Sequence, residues 1–138
     1  NKLVLNKRNE TINIDKSFYT PKGKKSARDI IDAIKNKSSI LIVVDQKDSA
    51  GEIVKLFNIK TKTQTGFLKV ARKNKLKLIP VKNTRIKKNN FILSFCSPLE
   101  PNNLSKNDNE TMNIIHKIIE KWILENPTQW FWQHNRFN

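Results

Sequence analysis

The 138-residue sequence has one cysteine, two histidines, three glycines and 12 acidic residues, and these scarcities exclude several kinds of protein. Cys96 stands alone, so it can form neither an internal disulfide nor a cysteine-based zinc site, and it suits a reducing compartment. Gly23, Gly51 and Gly66 are isolated, which rules out a glycine-rich phosphate loop. The longest unbroken aliphatic run, Ile40 to Val44, falls far short of the ~18–20 apolar residues that a membrane-spanning helix needs. The opening residues carry no basic-then-apolar leader pattern. What remains is 37% hydrophobic and 28% charged, the balance of a globular chain long enough to bury a core without staples.

Acid is scarce and base abundant: 27 basic residues give a formal net charge of +15. The excess lies early, with 23 basic and 7 acidic residues in 1–99 against 4 and 5 in 100–138. A field of that sign favours polyanionic partners such as nucleic acid, anionic lipid headgroups or a phosphorylated glycolipid. A plainer reading stands beside it. Lysine outnumbers arginine 22 to 5, the usage an AT-rich genome writes onto solvated faces.

Residues 1–25 form a poorly patterned lead-in that ends in the turn signal Tyr19-Thr20-Pro21-Lys22-Gly23. Ser26 reads as a helix N-cap, with Asp29 three residues on and Ile30, Ile31 and Ile34 at helical spacing until Asn36-Lys37. Ser39 to Val44 is a continuous β-branched run, read as a buried strand of a parallel sheet. A loop through Gly51 leads to an extended piece near Ile53 to Phe57. Thr63 or Thr65 then caps a helix carrying Phe67, Leu68, Val70 and Ala71. Strands follow at Leu76–Val81 and Phe91–Phe95, then a Pro/Asn/Ser linker. The last helix carries Ile114, Ile115, Ile118, Ile119, Trp122 and Ile123, with Pro127 just beyond it. This order predicts an α/β layered sheet flanked by helices. Because the chain opens on Asn1 in mid-pattern and closes on an aromatic cluster, the expectation is an incomplete domain lacking its N-terminal part.

Two stretches carry chemistry. Asp45-Gln46 sits at the C-terminal edge of the first expected strand, where ligands gather in open α/β sheets. It is equally the kind of polar turn that ends many strands. The tail over 126–138 packs Trp130, Phe131, Trp132 and Phe137 into a dozen residues with Gln129, His134 and Arg136. Such rings either pack on a core or settle at a membrane interface. His116 and Glu120 share i, i+4 spacing, but no second pair accompanies them, so His116 reads as a surface or boundary residue and no metal site is expected.

Taken in order, these residues resemble a known family. Strand-Asp45-Gln46, Gly51, Phe57, Thr63-x-Thr65-Gly66 with Leu68, Ala71 and Arg72, then Ile79-Pro80, Arg85, Glu120 and Pro127-x-Gln129-Trp130-x-Trp132-x-His134-x-Arg136-Phe137 resemble the bacterial lipid A biosynthesis acyltransferases. These are the lauroyl/myristoyl type, related to lysophospholipid acyltransferases. The likeness runs from about Lys25 to the end, and the tail motif is its most specific part. It implies a glycerolipid acyltransferase-like fold, with residues 1–138 as the C-terminal part of one acyltransferase domain.

The resemblance further implies transfer of a fatty acyl group from acyl carrier protein thioester to a hydroxyl of a phosphorylated glycolipid acceptor, a lipid A precursor. It needs no cofactor and places the enzyme on the anionic cytoplasmic face of the bacterial inner membrane. The family's base lies in a His-x4-Asp/Glu motif. Here the fifth residue after His116 is Lys121, and His134 lies too near the end, so the base is expected either upstream of Asn1 or absent, and the stretch inactive alone. Asp45 and Gln46 are then active-site support. Arg8, Arg85, Thr63 and Gly66 become candidate substrate contacts, and Gln129, Trp130, Trp132, His134 and Arg136 a structural tail. Leu56-Phe57-Asn58 departs from the family's Phe-Phe-Gly. The alternative is a basic nucleic-acid-binding module, suggested by a pI near 10.1 and stacking aromatics. Against it, the aromatics and the lysines occupy opposite ends of the chain.

Overall fold

The computed structural model describes residues 3, 6, 7, 10, 24–100, 102 and 104–137, with Lys24 and Lys25 described in their backbone alone. The chain divides into two compact units, residues 1–42 and 43–138. The first contains α1 (Lys24–Lys35). The second contains β1 (Lys47–Leu56), β2 (Ile59–Thr63), α2 (Gly66–Lys73), β3 (Val81–Lys87), β4 (Asn90–Phe95), α3 (Asp108–Glu125) and a 3-10 turn (Pro127–Gln129).

In α1 the residues Ser26, Asp29, Ile30, Ala33 and Ile34 form the less exposed stripe, at the spacing of one helical face. Ser26 lies inside the helix rather than capping it. The helix ends with Lys37 in the left-handed region (φ 54°), the Ser38 N–H on the Ala33 carbonyl and the Lys37 N–H on Ile34. α2 ends in the same way around Lys75 (φ 52°), with Leu76 bonded to Ala71 and Lys75 to Arg72. In both, a lysine takes the place that glycine usually fills in this termination.

The sheets correct the expected architecture. The fold is a small α/β domain, but its described strands make two separate antiparallel pairs, β1 with β2 and β3 with β4, and no parallel sheet. Ser39–Val44 forms no strand; Leu41 is 85% exposed and Val43 61%. An all-apolar run needs both faces covered, and here Ile40, Ile42 and Val44 are only half-buried while Leu41 and Val43 stay exposed. Leu76–Val81 contributes one isolated bridge, Leu78 with Leu99, before β3 begins at Val81. The piece read at Ile53–Phe57 is part of the longer β1, and β2 went unread because Ile59-Lys60-Thr61-Lys62-Thr63 is largely polar.

β1 and β2 join through Phe57-Asn58, both at positive φ (51° and 62°), the backbone of a tight hairpin turn matched to strand twist. Glu120 braces that turn: its Oε1 accepts the Phe57 N–H at 2.6 Å. At the other end of the pair, Lys47 and Glu52 both face Thr63, so Asp48 to Gly51 bulge out of the ladder. α3 starts where Asn107 accepts the Asn109 N–H, with Asp108 and Glu110 in its positive first turn. Arg72 of α2 pairs with Asp108 there. The core joins Val54 and Leu56 of β1, Leu68 of α2, and Met112, Ile115, Ile119 and Ile123 of α3. Trp130 and Phe137 of the tail pack against it.

Candidate functional site

Chain reversal through β1, β2 and α3 brings the two chemistry-bearing stretches to one place. Asp45 and Gln46 form the bend just before β1, and the tail returns past them after α3. Between them lies a cavity of about 200 Å³ lined by Val43, Asp45, Gln46, Trp130, Phe131, His134 and Arg136. The expected site pair thus shares a cavity with three of the five expected tail residues.

Each tail residue is fixed by a separate contact. Gln129 donates to the Arg85 carbonyl at 3.0 Å and accepts the Arg85 N–H at 2.8 Å, extending the edge of β3 as a further strand would. Trp132 donates its indole N–H to the Pro127 carbonyl at 2.7 Å. His134 is exposed, its ring tilted 54° against Phe131 with centroids 6.5 Å apart. Arg136 is the deep anchor, only 2% exposed.

The anchor works because β2 alternates. Thr61 and Thr63 fall on one side of the strand and are buried, while Lys60 and Lys62 point outward. Arg136 Nη1 donates to Thr61 Oγ1 at 2.5 Å and to the Lys62 carbonyl at 2.8 Å; Nη2 donates to Thr63 Oγ1 at 2.7 Å. Thr61 answers by donating to the Arg136 carbonyl at 2.6 Å. The remaining donor, Arg136 Nε, is buried and has no protein partner among the described residues. Burial pulls this guanidinium below its ordinary pKa and the Asp45 carboxylate works against that pull. Arginine stays protonated regardless.

Behind Thr63 stands His116, which is fully buried, correcting the surface or boundary reading. Its Nδ1 donates to the Lys55 carbonyl at 2.7 Å, which leaves Nε2 to face the Thr63 hydroxyl at 3.5 Å as an acceptor. Burial lowers its pKa; the Lys55 carbonyl and Glu120 oppose, and Arg136 adds to the lowering. Glu120 is also buried. Burial alone would raise its carboxyl, but the hydrogen bonds from Lys117 and from the Phe57 N–H outweigh this and hold it below the usual range. His116 and Glu120 therefore serve separate structural bonds. Among the described residues, no group of three or more His, Cys, Asp or Glu is placed to hold a metal.

Of the other expected site residues, Thr63, Gly66 and Arg85 lie apart from the cavity lining. Thr63 is fully buried beneath Arg136. Gly66 is exposed at the first position of α2. Arg85, on β3, sets its guanidinium 5.0 Å from the centre of the Phe91 ring. Arg8 falls outside the described residues. Reading the sequence missed Thr61 and Lys62 as parts of the site, and had Phe131 only as one ring of the aromatic tail. The available signal was Thr-x-Thr, whose spacing of two puts both hydroxyls on one side of any strand.

Chemically the cavity offers a carboxylate acceptor, an amide and an imidazole between aromatic walls, with Arg136 at its edge. That set can hold a hydroxyl by accepting its hydrogen bond at Asp45 while the Gln46 amide donates to its oxygen. No helix among the described residues is long and apolar enough to cross a membrane. No curated protein matches the chain. The family described as bacterial lipid A biosynthesis acyltransferase matches it over residues 1–138, its whole length. The chain therefore belongs to the bacterial lipid A biosynthesis acyltransferases.

Proposed function

We propose that this chain supplies the acceptor-orienting side of an enzyme that moves a fatty acyl group from acyl carrier protein thioester to a hydroxyl of a phosphorylated glucosamine lipid. One observation carries the reading: Asp45 and Gln46 share a cavity with His134 and Arg136, side chains more than 80 residues away in sequence. In this scheme Asp45 accepts a hydrogen bond from the acceptor hydroxyl or its catalytic histidine, and Gln46 fixes the hydroxyl's direction. Arg136 holds the tail closed over β2, so Thr63 acts through Arg136 rather than by touching substrate. Proton removal falls to a His-x4-Asp/Glu pair outside these residues. Arg8 and Arg85 are the proposed contacts for phosphate or for the acidic carrier protein, where a forked guanidinium suits an oxyanion. The net charge of +15 speeds encounter with carrier, anionic leaflet and phosphorylated acceptor alike. The nucleic-acid alternative gains no support from the family match.

The test is an acyl-transfer assay with carrier-protein thioester and lipid acceptor. Residues 1–138 alone are expected to show no turnover, and measurable turnover would remove the need for an external base. In the catalytically competent protein, Asp45→Asn is expected to lower kcat about 10²-fold with little change in KM, the scale of losing a positioned acid–base partner. An unchanged kcat in a folded Asp45→Asn protein would end this assignment of the cavity.

A further inference from the structure

β4 is the barest strand of residues 43–138: every one of its six residues is exposed. Its partner β3 is tied down, through the Gln129 amide on Arg85 and through Lys82 Nζ on Glu125 at 2.5 Å. The register places Phe91, Leu93 and Phe95 on one face of the hairpin and Ile92 on the other. Leu93 is 59% exposed and Phe95 72%, and Ile86 adds to the apolar surface from β3. The hairpin's own charges have one sign, with Lys82 alone among them ion-paired within the described residues, to Glu125. Between Val81 and Phe95 lie Lys82, Arg85, Lys87 and Lys88 and no acidic residue.

Apolar side chains bordered by Arg85, Lys87 and Lys88 match the layering of an anionic bilayer surface. The acyl boundary takes the rings, and the headgroup phosphates take the ammonium groups. A second copy of this chain is a poor occupant, because it brings the same hairpin cations, on a chain of net charge +15, to the same face. We propose that the β3–β4 hairpin is the element by which this chain seats on an anionic phospholipid bilayer. Phe91, Leu93 and Phe95 enter the interface, and Lys87 and Lys88 lie against the phosphates at the hairpin's tip. This gives a surface to the membrane partner named in the proposed function and rests on that reading for its biological setting alone.

The experiment is co-sedimentation of the full chain with phosphatidylcholine vesicles, with and without phosphatidylglycerol. Binding is expected to need the anionic lipid. Lys87→Gln with Lys88→Gln should weaken it about thirtyfold, some fivefold for each cation removed from the surface. Leu93→Asn with Phe95→Ser should weaken it at least tenfold at an unchanged melting midpoint, while Ile53→Asn, an exposed apolar change outside the hairpin, should leave it intact. Equal binding to the uncharged vesicles, or wild-type binding by both hairpin variants, overturns the proposal. So does lipid-independent sedimentation that Leu93→Asn with Phe95→Ser abolishes, which would assign the face to a second copy. So does loss of binding to a generic nucleic-acid duplex in the lysine variant while vesicle binding persists. Vesicle binding involves no acyl transfer, so failure here leaves the Asp45→Asn result standing, and the reverse holds equally.

Discussion

Gly51→Ala is expected to destabilise residues 43–138 by about 3 kcal/mol, on the scale of overpacking against unyielding atoms. A Cβ built at Gly51 would lie 2.3 Å from the Thr63 carbonyl oxygen, 2.5 Å from its carbon and 2.9 Å from its nitrogen. All three are backbone atoms, so no rotamer change clears the space. The bulge that carries Gly51 must open, or β2 must move away from β1. Either response shifts Thr63, and with it the hydroxyl that receives Arg136 Nη2. The local clash is thereby transmitted to the tail and to the cavity wall. Urea titration followed by tryptophan emission should show the loss as a lower midpoint, with Trp130 and Trp132 reporting a loosened tail. Gly66→Ala is the internal control. Nothing lies within 4 Å of a Cβ there, and alanine suits a helix better than glycine by about 1 kcal/mol, so that variant should hold or gain stability. Equal stability of the two alanine variants would contradict the close approach at Gly51.

How much of this was legible beforehand differs by element, for physical reasons. α3 announced itself because Ile115, Ile119 and Ile123 recur at helical spacing, and the structure buries them in the core. It also buries His116 and Glu120 on that helix, which hydropathy alone cannot anticipate, because their partners are backbone groups of Lys55 and Phe57 on another element. Ser39–Val44 misled through composition: a β-branched run states a preference for extended backbone but not whether a neighbouring strand exists to pair with it. β2 stayed hidden for the opposite reason, since its inward residues are threonines that tolerate burial only because a guanidinium meets them. The two halves of the site were each visible, Asp45-Gln46 as a polar step after an apolar run and the tail as an aromatic cluster. Their meeting was not, because it depends on β2 and on a buried arginine that looks like any surface cation in the sequence.

Replacing Arg136 by methionine is the second large effect expected, about 3–5 kcal/mol, at about 1–3 kcal/mol for each of three buried acceptors left unsatisfied. The substitution keeps much of the volume but leaves Thr61 Oγ1, Thr63 Oγ1 and the Lys62 carbonyl without their shared donor. The same network sets how stability responds to acid. His116 has a folded pKa below its value in the unfolded chain, about 6.5, so the unfolded state holds the proton more tightly. Its contribution is therefore complete above about pH 6.5 and declines as pH falls from there toward the folded pKa, by at most about 1.4 kcal/mol per pH unit. Protonation makes Nε2 a donor, so it can no longer accept from Thr63, and it sets a second cation near Arg136. Glu120 contributes a separate loss at lower pH. Its carboxyl is depressed in the folded state, so its stabilisation is present above about pH 4.3 and fades as pH falls through the folded value. Urea midpoints across this range should decline in two stages for the wild type. In Arg136→Met the first stage should be smaller but not absent, because burial, the larger cause, stays while the cation is gone. A wild-type midpoint that holds steady between pH 7 and pH 5 would show that the histidine is not held neutral in this network.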